Sequence, residues 1–191
     1  ERIDRRAGDI VGDRDDPRSR IDDLIEVDRH ACAPRDDGEQ LALVGAGGRG
    51  TGAAVDALTN AGYPIKLVAL ADVFPHRLQE SLTALKQNFE GKPELIDVPE
   101  ERQFIGFDAY KQAMDALRPG DIVIFASPLA FRWVHYQYAI DKGLHVFMEK
   151  PVVADGPTGK KMLELAKKAD EKNLKSAVGL MIRHCRGRQE L

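Results

Sequence analysis

Residues 41–50 read Leu-Ala-Leu-Val-Gly-Ala-Gly-Gly-Arg-Gly, an apolar run that breaks directly into closely spaced glycines. A short apolar run ending in glycine predicts a strand that feeds a tight turn. Gly45, Gly47 and Gly50 keep the G-x-G-x-x-G spacing, with Gly48 and Arg49 between the last two. In that spacing the glycines serve a sharp turn, close approach of the backbone to a pyrophosphate, and close helix-to-strand packing. A side chain at the second position would stand where the ligand must lie. Thr51 to Leu58 is rich in alanine and predicts a helix, whose first turn would aim unpaired N–H groups and the positive end of its dipole at the phosphates. The stretch therefore predicts an anion cradle, but three of 17 glycines can also serve ordinary turns, so its surroundings must support the reading.

After a turn at Asn60, Ala61 and Gly62, the short apolar run Leu67 to Ala71 ends at Asp72. A dinucleotide-binding unit places its ribose-binding carboxylate about 20 residues beyond the glycine loop, at the end of the second strand. A carboxylate there would repel a 2'-phosphate, which favours NAD; Arg49 and Arg77 lie near enough to weaken that preference and leave NADP possible. Asp72 also precedes Pro75 and the helical pattern Leu78, Leu82, Leu85, so an N-cap role is open to it as well.

From Leu41 onward strand-like and helix-like stretches alternate, the pattern of an α/β fold with a parallel sheet. Three stripes at i, i+3, i+4, i+7 predict core-facing helix faces: Tyr110, Ala113, Met114, Leu117; Phe131, Val134, His135, Tyr138; and Met162, Leu165, Ala166, Ala169. Asp121 to Ala126 and Leu144 to Met148 read as strands buried on both faces, with Gly143 ending the helix before the second. A further strand is expected over Ser176 to Ile182, and a short one over Gln103 to Gly106. Six strands with crossovers make a doubly wound parallel-sheet Rossmann domain over residues 40–183. Glu90 to Arg102, with Pro93 and Pro99, reads as an exposed connection free to vary.

Residues 1–39 differ from the rest: they are dense in Arg and Asp and hold no lysine. A segment with so few apolar residues cannot offset its ordering entropy, so a disordered charged tail is expected, with at most a short helix over Ile21 to Val27. The change in basic usage also raises the possibility of upstream translation rather than native coding sequence; a charged interaction tail is the alternative. The net charge of −3 and pI near 6.0 give no electrostatic case for nucleic acid or an anionic membrane. With no apolar run near the roughly 20 residues of a membrane span and no signal-peptide pattern, a cytoplasmic protein is expected. Cys32 and Cys185 lack metal or disulfide spacing, and His30, His76 and His184 have no ligand partners in pattern.

In an open parallel sheet the ligand lies beyond the C-terminal ends of the strands. Ser127-Pro128 ends the fourth strand, where the serine can face a nicotinamide half, although Ser-Pro is also a common turn. The fifth ends in Glu149-Lys150-Pro151, which places at the crevice either a lysine able to polarise a hydroxyl or carbonyl, or a solvated strand end.

Taken together, the glycine loop, Asp72, Ser127-Pro128 and Glu149-Lys150-Pro151 preceded by His145-Val146-Phe147-Met148 resemble the Gfo/Idh/MocA oxidoreductase family, over Leu41 to about Arg183. The resemblance implies a nicotinamide-dependent oxidoreductase of sugars, polyols or related carbohydrates. It makes Lys150 the active-site lysine, Gly45, Gly47 and Gly50 the pyrophosphate loop, Asp72 the ribose ligand, and Glu149 a contact of the nicotinamide ribose region. Two features depart from the family. Arg132 stands where a histidine is common, leaving His135 as a packed or partly exposed helix histidine. The C-terminal substrate domain, which supplies dimerisation and a catalytic histidine, is absent from the sequence, so residues 184–191 would begin a linker to it and the full-length form would be a homo-oligomer. A non-catalytic dinucleotide-binding module, an S-adenosylmethionine-dependent methyltransferase, and glycoside cleavage through transient oxidation are the alternatives.

Overall fold

Along the first strand, β1 (Glu39–Val44), side chains alternate between the two faces of the sheet. Leu41 and Leu43 join one apolar cluster, Ala42 and Val44 the other, and all four are buried. The computed structural model describes residues 38–180 and 190. The expectations for residues 1–37, for the end of the last strand beyond Leu180 and for the linker lie outside the described residues, Glu190 excepted.

The order is β1, α1 (Gly48–Asn60), β2 (Ile65–Asp72), α2 (Pro75–Asn88), β3 (Gln103–Ile105), α3 (Ala109–Asp115), β4 (Ile122–Phe125), α4 (Arg132–Lys142), β5 (His145–Met148), α5 (Gly156–Glu171) and β6 (Ser176–Val178). The strands form one parallel sheet in the order β3-β2-β1-β4-β5-β6, the doubly wound arrangement expected. Helices α1 and α2 cover one face through Ala53, Ala54, Ala57, Leu78, Leu82 and Leu85 against Leu41, Leu43 and Ile124. Helices α3 to α5 cover the other through Met114, Tyr136, Ile140 and Leu165 against Val44, Val123 and Phe125. Each large side chain so buried contributes on the order of 2 kcal/mol. Because helices occupy both faces, the open crevice is at the strand ends, where the order reverses between β1 and β4.

Helix ends follow local chemistry. Gly143 takes φ 74° after α4, as its position predicts. Asp155 caps α5, its Oδ1 accepting the Thr158 N–H at 2.8 Å.

Four boundaries differ from the sequence reading. The first strand begins at Glu39, whose N–H donates to Pro64 O at 2.9 Å, so the charged segment's last residue already belongs to the sheet. Helix α1 starts at Gly48 rather than Thr51, although glycine is a poor helix former, and Gly50, packed against the Gly45 carbonyl, lies in its first turn. The Glu90 to Arg102 connection is not free: Ile96 and Val98 are buried, and Ile96 bridges Leu67 beside β2, where the short β3 has not yet begun. On α4 the buried residues are Arg132, His135, Tyr136, Ala139 and Ile140, while Phe131 is 44% exposed. An apolar count missed that face because its first member is an arginine.

No described helix is long and apolar enough to cross a membrane, and no group of three metal-binding side chains occurs among the described residues.

Candidate functional site

The strand ends stand level with one another. The Gly45 N–H donates to Ala71 O at 2.8 Å, the Ala126 N–H to Val44 O at 2.9 Å, and the Glu149 N–H to Phe125 O at 2.9 Å. The glycine loop, Asp72, the Ser127 turn and Glu149 consequently emerge at one end of the sheet.

The loop's glycines fall into two kinds. Gly45 has φ +96°, and a Cβ there would lie 2.5 Å from Ser127 N; a Cβ on Gly50 would run into the Gly45 carbonyl oxygen. Packing within the chain therefore requires these two glycines. Gly47 and Gly48 are different, since a Cβ on either meets nothing within 4 Å. At φ −77° and ψ 178°, Gly47 has a conformation open to any residue. It is the N-cap of α1, where no side chain caps the helix and no acid occupies the first turn. Free N–H groups and the positive helix end thus face open space where a Cβ would project, which fits a diphosphate held by backbone.

Asp72 ends β2 and holds this loop from one side. Its Oδ2 accepts the Ala46 N–H at 2.7 Å and its Oδ1 the Phe74 N–H at 2.9 Å. The N-cap of α2 is Phe74, so Asp72 is not that cap, although it braces the chain leading to it. A carboxylate has about four acceptor positions, so capacity for hydroxyl donors is left. Arg77 lies over the Phe74 ring, 5.0 Å from its centroid.

At the end of β4, Ser127 is buried and its hydroxyl shares a 3.1 Å hydrogen bond with His135 Nδ1. Its hydroxyl therefore has a partner within the scaffold, as a buried polar group requires. His135 stacks on Tyr110 at 4.2 Å, and burial, followed by the Arg132 charge, lowers its pKa from 6.5 to about 4. It is a packed residue, as the sequence reading allowed.

Arg132 is the residue that sequence reasoning missed. It is 3% exposed, and its Nε and Nη2 donate to Ser127 O at 3.1 and 2.9 Å while Nη1 donates to Pro151 O at 3.0 Å. It thereby joins the turn after β4 to the turn after β5. Burial lowers its pKa, with the Glu149 charge acting in the opposite direction. The available signal was its place opposite the family's common histidine.

Glu149 is buried at the end of β5. Arg49, in the first turn of α1, donates to its Oε1 from Nε at 2.8 Å, and Nη2 lies 2.6 Å from the same oxygen. That bond raises the Arg49 pKa. Lys150 is exposed and makes no hydrogen bond or ion pair with any described residue.

A doubly wound sheet with a glycine cradle at its switch point and an acid ending β2 defines the class of dinucleotide-binding Rossmann domains. The chain belongs to the Gfo/Idh/MocA oxidoreductase family, whose NAD-binding Rossmann fold matches residues 40–176. The fold is shared with the myo-inositol 2-dehydrogenase of Lactobacillus plantarum (23% identity, TM-score 0.56), covering 80% of this chain and 39% of that one. It is shared with the scyllo-inositol dehydrogenase of Lactobacillus casei, solved with NAD(H) and scyllo-inositol (21%, TM-score 0.59; 80% and 39%). The UDP-N-acetylglucosamine 3-dehydrogenase of Acidithiobacillus ferrooxidans is also similar (18%, TM-score 0.58; 80% and 41%). The chain thus spans about two-fifths of the length of these solved relatives. No curated protein matches it significantly.

Proposed function

We propose that this chain is the cofactor-binding half of a cytoplasmic oxidoreductase, using NAD, with NADP possible. It moves a hydride between a carbinol carbon of a sugar, polyol or related carbohydrate and the nicotinamide. The observation carrying the proposal is Gly47, where the protein has room for a side chain and the uncapped helix behind it is arranged for a phosphate. In this reading Gly45, Gly47, Gly48, Arg49 and Gly50 hold the diphosphate and Asp72 takes ribose hydroxyls. Ser127-Pro128 and Glu149 border the nicotinamide half. Bound nicotinamide supplies the hydride chemistry. Lys150 stabilises alkoxide-like charge on the substrate as the hydride leaves, an exposed cation at the strand end whose charge is not already committed. A second domain, entered from residues 184–191, completes the pocket, supplies the proton-transfer group and mediates homo-oligomerisation. The family assignment favours this over the methyltransferase reading.

Calorimetric titration of the 191-residue chain with NAD, NADP and S-adenosylmethionine tests the proposal. NAD should bind more tightly than the other two, and Asp72→Ala should weaken NAD more than inorganic pyrophosphate, since only NAD carries ribose. In a form carrying the substrate domain, Lys150→Ala should abolish polyol oxidation while NAD still binds. Binding of S-adenosylmethionine alone, or of none of the three, would refute it.

A further inference from the structure

Glu149 lies between two arginines of different standing. It is 5% exposed, and Gly179, just after β6, packs so close that a Cβ there would come 2.9 Å from its Oε1. Arg132 is fixed in place by the carbonyls of Ser127 and Pro151, and its charge and that of Glu149 act on each other without a hydrogen bond. Arg49 is held less firmly. Its side chain is 57% exposed, on a flexible stem; Nε and Nη2 both close on one carboxylate oxygen, Oε1, and Nη1 lies 3.9 Å from the exposed Asp56 Oδ2. The other Glu149 oxygen takes no hydrogen bond from any described residue. A guanidinium fork is satisfied best by two oxygens in parallel, which a phosphate offers and this contact does not.

Arg49 also belongs to the first turn of α1, directly behind Gly47 and Gly48. An anion entering the cradle therefore competes with Glu149 for the same side chain. Losing a buried carboxylate's only counter-charge would be prohibitive. Here the carboxylate keeps the second arginine.

We propose that Arg49 is exchangeable and Arg132 permanent: a diphosphate in the cradle takes the Arg49 guanidinium from Glu149, whose charge stays balanced by Arg132. Glu149 thus sets the cradle's affinity for anions by competing for Arg49. This rests on the reading that the cradle receives a diphosphate.

Inorganic pyrophosphate and NAD are titrated calorimetrically into the 191-residue chain as wild type, Glu149→Gln, Arg49→Gln and the double variant. Glu149→Gln should tighten pyrophosphate binding about two- to fivefold, the scale of one half-exposed ion pair. The gain should vanish when Arg49 is already Gln. An equal gain with and without Arg49 would mean that Glu149 acts by general charge alone, which overturns the exchange, as does no gain at all. Pyrophosphate behaving as expected while NAD fails to bind keeps the exchange and refutes the dinucleotide reading. Should Glu149→Gln not fold, the wild type decides. Its Arg49 Nε–H NMR signal, identified by its loss in Arg49→Gln, should move on adding pyrophosphate; a signal that stays fixed, whether or not pyrophosphate binds, overturns the proposal.

Discussion

Replacing Gly45 and Gly47 separately by alanine should part folding from binding within a single loop. At Gly45 the added Cβ would meet Ser127 N at 2.5 Å and Ala126 C at 2.7 Å, both backbone atoms that cannot rotate away, and φ is +96°. Forcing an L-residue into positive φ costs roughly 1–2 kcal/mol, and overpacking against fixed backbone adds about 1–3 kcal/mol. Gly45→Ala should therefore lose on the order of 3 kcal/mol in urea unfolding. At Gly47 the Cβ projects into open space at φ −77°. Restricting the unfolded chain contributes about 0.4–1 kcal/mol in favour of folding. Loss of glycine at an N-cap costs a comparable amount, so Gly47→Ala should stay within about 1 kcal/mol of wild type. The same methyl stands where a diphosphate must approach backbone, so NAD affinity should fall at least tenfold, about 1.4 kcal/mol. Unfolding curves with and without NAD measure both effects. A Gly47→Ala protein as unstable as Gly45→Ala, or one that binds NAD like wild type, would refute the division of the loop into structural and ligand-facing glycines.

Two further outcomes follow from buried charge. His135 has a folded pKa of about 4 against an ordinary 6.5, so the unfolded chain takes the proton first: stability is full above pH 6.5 and declines as pH falls toward 4. The gap is worth about 3 kcal/mol, so the wild type should lose roughly that much more than His135→Gln between pH 7 and 4; parallel pH profiles would contradict it. Asp121 is fully buried at the opposite end of the sheet, its Oδ1 accepting the Gln40 N–H at 3.2 Å and its Oδ2 the Arg118 N–H at 2.7 Å. Asp121→Asn should cost about 3 kcal/mol by leaving donors unmatched, yet leave NAD affinity unchanged; a matching loss of affinity would show that the two ends of the sheet are coupled.

The parts of this fold that could be read from sequence were those with a pattern. Continuous apolar runs for strands buried on both faces, and stripes at helical period such as Tyr110, Ala113 and Met114, announce themselves because burial follows geometry. The switch-point loop was legible for a second reason, since glycine spacing encodes backbone approach directly. What escaped were places where a polar residue does an apolar residue's job. Arg132 opens the buried face of α4 because three carbonyl contacts satisfy its guanidinium, and nothing in an arginine's letter distinguishes that from a solvated one. Likewise Ile96 and Val98, scattered between prolines, show no period, although Ile96 bridges Leu67 ahead of the β2–β3 pairing that begins at Leu70. The hydrogen bond from Ser127 to His135 was not legible either, because the sequence shows that a side chain stands at the strand end and not which partner it takes.

The architecture of the glycine loop explains why two acids stand beside it. Asp72, from β2, holds the loop through the Ala46 N–H, and Glu149, from β5, holds it through Arg49. These strands flank the central β1–β4 pair, so the loop is fastened from both sides of the point where strand order reverses. Each carboxylate lies beside the helix N-terminus without entering its first turn, so neither caps α1 and the N–H groups there stay available. Negative charge near a phosphate site would ordinarily repel the ligand. Here Asp72 is taken up by backbone donors and serves loop order, while Glu149 holds Arg49 and, in the exchange proposed above, gives it up to an entering anion. A Rossmann loop with only glycines would bind through backbone alone; with acids on both flanks, this one also fixes where the backbone stands.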